Sequence, residues 1–112
     1  MKVAFATEGS RGLDDIVSSV FARAKTFTIV TVEGGTVKNV EVVENLYLDR
    51  KYGVGPLVIK MLSEKGVDVI VASIFGEGAK TLLGEYGIIQ VSVPEKMLVR
   101  DALTKVTGGR RP

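Results

Sequence analysis

The two side-chain types that most often act as soft metal ligands or neutral-pH bases are missing from this 112-residue chain, and the residues that gather are glycines and serines. It has no cysteine and no histidine. That removes thiolate and imidazole metal ligands, the thiol nucleophile and the usual general base of nucleophilic catalysis. What remains is a chemistry of backbone amides. Three short stretches, Glu8-Gly9-Ser10-Arg11-Gly12, Gly53-Val54-Gly55-Pro56 and Ser73-Ile74-Phe75-Gly76-Glu77-Gly78, carry small residues that let N–H groups approach a ligand closely. Each leads toward a predicted helix, so free amides and the positive end of a helix dipole would favour an anion there. Ser10, Arg11, Arg23 and Ser73 add side-chain donors. The candidate binding set is therefore Glu8, Gly9, Ser10, Arg11, Arg23, Gly53, Gly55, Ser73, Gly76 and Gly78, with no catalytic residue and no metal ligand. Taken singly, each glycine also suits an ordinary turn; three such loops meeting at one crevice are what would make a site.

Stricter motifs are absent. Gly53-x-Gly55 lacks the third glycine of a dinucleotide fingerprint, and no loop carries the Gly-Lys-Ser/Thr of a P-loop. The acids offer little leverage for a two-metal nuclease, because the first strand carries no carboxylate before Glu8. Asp14 and Asp15 are adjacent and read as a solvated helix start, and Asp68 stands at the beginning of its strand, away from the crevice. Met61 and Met97 fall on apolar helix faces and read as core filler.

The elements that must position these loops follow from hydrophobic spacing. Lys2 to Thr7 is an apolar run without alternation, which suits a central strand buried on both faces. Leu13, Ile16, Val17, Val20 and Phe21 fall at helical spacing and predict a short helix over 13–21. Thr26 to Val32 and Thr36 to Val43 read as two antiparallel strands joined by Glu33-Gly34-Gly35. After an irregular stretch from Glu44 to Tyr52, Pro56 suits the first turn of a helix that turns Leu57, Val58, Met61 and Leu62 inward and stops at Gly66.

Val67 to Ala72 reads as a second buried strand. A helix with Ala79, Leu82, Leu83 and Tyr86 on one side follows, and Ile88 to Val93 is a third parallel strand. Ser92 and Glu95 have the spacing of a capping box for a last helix bearing Leu98, Ala102 and Val106. Right-handed crossovers turn this order into an α/β fold, a five-stranded mixed sheet with helices on both faces and the first strand near its middle. The crevice beyond the carboxyl ends of strands one and four is where ligands settle in such sheets.

Composition sets the outer bounds. Hydrophobic residues make up 46% and charged residues 25%, a balance that suits one globular domain over residues 1–107 with a flexible tail over 108–112. Of the formal charge of +2, Arg110 and Arg111 account for all, leaving 13 basic and 13 acidic groups in the rest of the chain. Nucleic-acid binding needs a basic face and is not expected. Apolar stretches are too short to span a bilayer, and Met1-Lys2 leaves no room for a secretory segment, so a cytoplasmic protein without a membrane partner is expected.

The order of several motifs resembles the dinitrogenase iron-molybdenum cofactor biosynthesis family, the nitrogenase accessory factor-like domains. The motifs are Met1 to Thr7, Val17-Ser18-Ser19-Val20-Phe21-Ala22-Arg23-Ala24 with Phe27 after it, Val42 to Asn45, Gly53 to Leu57, Glu64 to Ala72 and Gly76 to Ala79. The likeness covers about residues 1 to 106. It implies a three-layer ribonuclease-H-like fold, and binding of nitrogenase cofactor or iron-sulfur precursors rather than turnover. Many such proteins carry a Ser-x-His-Phe-Gly-Arg-like segment; here only Ser18, Phe21 and Arg23 keep it, with Val20 in the histidine's place and Ala22 in the glycine's.

Any iron-molybdenum or iron-sulfur cluster would thus be held without Cys or His, by backbone N–H groups, Arg23 and carboxylates, or through ligands from a partner among cofactor-assembly proteins. Two functions follow. The first is a non-catalytic carrier of an anionic cofactor, and the alternative is a small protein-interaction or regulatory module that has lost metal-cluster binding. A nuclease-type enzyme, suggested by fold alone, has the least support.

Overall fold

The computed structural model describes residues 1–108; Arg110, Arg111 and most of the expected flexible tail lie outside the described residues. Strand β1 (Lys2–Thr7) pairs antiparallel with β2 (Thr26–Glu33), which pairs antiparallel with β3 (Thr36–Glu44). Helix α1 (Val54–Glu64) leads to β4 (Val69–Ala72), which lies parallel to β1 on its other side. Helix α2 (Glu77–Glu85) then leads to β5 (Ile89–Ser92), parallel to β4, and helix α3 (Val99–Val106) follows. The sheet order is β3-β2-β1-β4-β5, the mixed five-stranded sheet expected, with β1 central.

The unbroken apolar run of β1 is explained by two cores. Ala4 and Ala6 face α1 and α2, together with Ile70, Val58, Ile59 and Leu62. Val3 and Phe5 face α3, together with Val69, Val71, Val99 and Ala102. Val58, Ile59 and Leu62 are fully buried, and each contributes about 1.5–3 kcal/mol over leaving it in water. Helices on both faces make the three layers of the expected α/β fold. Gly34 and Gly35 turn the β2–β3 hairpin at φ of 59° and 78°, and Gly66 ends α1 at φ 81°. No helix among the described residues is long and apolar enough to cross a membrane.

The expected helix over 13–21 does not form. A single 3-10 turn at Gly12–Asp14 is followed by an extended strap. Its backbone is claimed by distant segments, the end of β1, the loop after β4 and the segment before α3: the Ser18 N–H donates to the Ala6 carbonyl (2.7 Å), Val17 N–H to Met97 O (2.8 Å), and Ile74 N–H to Ser19 O (3.0 Å). The β-branched Ile16, Val17 and Val20 and two serines disfavour a helix, so tertiary pairing overrides the apolar spacing.

The capping box is also absent. α3 starts at Val99 with Leu98 as its cap residue and no side-chain cap. It buries Val99, Ala102 and Leu103, while Leu98 is exposed and Val106 only half-buried. On α1 the buried position is Ile59 in place of Leu57, and Tyr86 at the end of α2 is exposed.

Candidate functional site

β1 and β4 run parallel, and their connections leave in opposite directions: β1 leads to the hairpin on one side and β4 to β5 on the other. The strap crosses the carboxyl ends of these two strands. Between the strap and the starts of α1 and α2 lies a cavity of about 540 Å3. Its walls are apolar: Val20 and Phe21 from the strap, Ile59 from α1, Leu82 from α2 and Ile74 from the loop after β4. Phe21 is pinned as a rigid wall by its neighbours, with ring centroids 6.0 Å from Phe27 and 5.4 Å from Phe75.

Both helices open onto this cavity with the same pattern. α1 has Gly53 as its cap residue and Gly55 as its second residue; α2 has Gly76 and Gly78 in those places. Neither start has a side-chain cap. The first-turn N–H groups of a helix have no intrahelical acceptor, and Pro56 removes one such donor from α1. Gly53 needs its freedom, since it adopts a left-handed φ of 73°. The arrangement offers weak positive potential inside a largely apolar frame, where low dielectric strengthens it.

Arg23 is the one charged residue on the cavity wall among the described residues. Its guanidinium is engaged: Nη1 donates to Leu48 O (3.2 Å) and Nη2 to Lys51 O (3.1 Å). At the other end of the same loop, Asn45 Nδ2 donates to the carbonyls of Ala22 and Ala24, both at 2.8 Å. The irregular segment before α1 is therefore fastened at both ends to the strap that walls the cavity.

Other predicted residues lie elsewhere. Glu8, Gly9 and Ser10 border a separate depression beside Lys25 and Thr26. Their loop is shaped by Asp15, a fully buried carboxylate that accepts from the N–H groups of Gly9 (3.0 Å), Arg11 (3.1 Å) and Ile16 (2.8 Å) and from Arg11 Nη2 (3.2 Å). Burial alone would raise its pKa, but the hydrogen bonds from Arg11 and Ile16 and the Arg11 charge outweigh burial and hold it below the usual carboxylate value. Arg11 is thus the partner of Asp15. Ser73 donates its N–H to Ser18 O and leaves its hydroxyl buried without a hydrogen-bond partner.

Of the ten predicted residues, Arg23, Gly55, Gly76 and Gly78 come together at the cavity, and Gly53 stands at its edge as the α1 cap. The structure does not bring the Glu8–Gly12 loop to them, and that loop leads into a 3-10 turn rather than a helix. Sequence reasoning missed the apolar walls and the burial of Asp15. Only Ile74, a large apolar residue within a glycine-rich loop, signalled the former; Asp15 is 0% exposed, not the solvated helix start expected of it. Among the described residues no group of three or more acids is placed to hold a metal ion.

Comparison with known proteins gives this geometry a context. The family model described as dinitrogenase iron-molybdenum cofactor matches residues 1–109. An uncharacterized protein of Methanocaldococcus jannaschii is 31% identical over 88 residues, covering 79% of this chain and 70% of that protein. The apo form of the orange protein from Desulfovibrio gigas superposes with a TM-score of 0.85 at 28% identity, over 99% of this chain and 90% of that one. A NifB-like protein from Thermotoga gives a TM-score of 0.77 at 37% identity, over 97% and 89% of the two chains.

Proposed function

Because this chain belongs to the dinitrogenase iron-molybdenum cofactor family, we propose that it is a non-catalytic binding or carrier protein for an anionic cofactor, an iron-molybdenum or iron-sulfur cluster precursor being the cargo. The observation that carries this reading is the cavity itself, an apolar chamber onto which two uncapped, glycine-started helices open. Apolar walls take the faces of a cluster, and the helix starts offset its negative charge. With no histidine or cysteine in the chain, the protein supplies neither thiolate nor imidazole to anchor the cargo, so weaker contacts hold it reversibly. Such reversibility suits a carrier working among cofactor-assembly proteins. That the orange protein has an apo form supports a loaded state in a relative of the same fold.

The test is an anaerobic titration of the purified protein with isolated iron-molybdenum cofactor, followed by gel filtration and metal counting. Stoichiometric co-elution is expected, lost in Ile74→Glu, which places a negative charge at the exposed rim of the cavity. No retained metal on the folded protein would refute the reading.

A further inference from the structure

Gly55 and Gly78 hold equivalent places, the second residue of α1 and of α2, and both line the same cavity. Nothing in the fold requires a glycine at either. Neither has a positive φ, and a Cβ added to either would meet no atom within 4 Å. Gly76, the α2 cap, is alike in both respects, and its backbone is extended rather than left-handed. Glycine is not favoured by helix propensity, so neither helix stability nor packing accounts for these two glycines. By contrast Gly53 is required by its left-handed backbone, and at Gly9 a Cβ would stand 3.3 Å from the Asp15 carboxylate.

We infer that Gly55 and Gly78 are specificity-determining positions, whose missing side chains let one compact anion touch the bare backbone of both helix starts at once. This rests on the cargo-binding reading above for its site, and adds what the site selects. A side chain at either place would occupy cavity space and hold the ligand off the first-turn amides. The open volume in front of the two residues and the apolar walls around it then act as a size filter: a small anion that stays hydrated has no reason to enter, and an ion much larger than the chamber cannot reach both helices.

Gly84 is the internal control, because it lies on α2, has no positive φ, has free space at its Cβ and does not line the cavity. Alanine at all three sites adds a methyl group to a helix without strain, and only at Gly55 and Gly78 does that methyl enter the cavity.

The experiment measures two probes, anilinonaphthalene sulfonate by fluorescence titration and isolated iron-molybdenum cofactor by anaerobic gel filtration, on wild type, Gly55→Ala, Gly78→Ala and Gly84→Ala, with a thermal melt of each. The expected result is a melting temperature equal to or above wild type in all three variants, with binding weakened about tenfold in the first two, the size of a one-carbon mismatch in a pocket, and unchanged in Gly84→Ala. Unchanged binding in Gly55→Ala and Gly78→Ala would overturn the inference, as would a fall in their melting temperature that Gly84→Ala does not share. If only the sulfonate binds, the nitrogenase cargo fails while the glycine filter is still decided. If neither probe binds wild type, both fail.

Discussion

The Asp15 carboxylate accepts a 3.0 Å hydrogen bond from the Gly9 N–H, and a Cβ on Gly9 would stand 3.3 Å from that same oxygen. The carboxylate cannot easily retreat, since Arg11 and Ile16 also bind it. Gly9→Ala is therefore expected to lower the melting temperature, although its φ is ordinary for an alanine. Asp15→Asn turns one acceptor into a donor facing N–H groups and is expected to cost about 1.5–3 kcal/mol, the range for hydrogen bonds to charged groups. Chemical denaturation of both variants checks this.

The same carboxylate gives a pH dependence. Its folded pKa lies below the ordinary value of 3.8, so the unfolded chain binds the proton more readily. The stabilisation is complete above the ordinary value and is lost as pH falls through the lower folded one. Melting temperatures of wild type should stay level near neutrality and decline in this acid window. Asp15→Asn should decline less steeply there; equal slopes would remove Asp15 as the cause.

Arg23 joins the cavity wall to the segment before α1 through Leu48 and Lys51. Both hydrogen bonds are exposed, so Arg23→Ala should cost less than about 1 kcal/mol of global stability. Amide hydrogen exchange should nevertheless speed up across residues 46–52 and not in β1. Unchanged exchange there would mean that Asn45 alone holds the segment.

Val20 occupies the place of the histidine in the motif this chain resembles, and it lines the cavity with 42% exposure. A polar ring is tolerable at such a position. Val20→His is expected to bind isolated iron-molybdenum cofactor more tightly than wild type, with an affinity that falls as the imidazole is protonated near its usual pKa of about 6.5. Tighter binding without that pH dependence would count against coordination.

Much of the fold could be read from residue types. The buried run of β1, the Gly34-Gly35 hairpin, and the glycines ending α1 and α2 all act through local conformation and burial, and the sheet order follows from crossover rules. The strap was not legible, because Ile16 to Val20 shows helical spacing while its backbone partners, Ala6, Met97 and Ile74, are far away in the chain. Half of the candidate site depended on that strap. Once it runs extended, Gly55, Gly76 and Gly78 share a cavity, Asp15 draws Gly9 and Arg11 to itself, and the two glycine loops separate.

Anomalous diffraction at the iron edge from crystals of the protein loaded anaerobically with iron-molybdenum cofactor tests the binding site most directly. Iron density between the starts of α1 and α2, bounded by Val20, Ile74 and Leu82, is the expected result. Density beside Glu8, Ser10 and Thr26, or crystals of folded protein without iron, would contradict it.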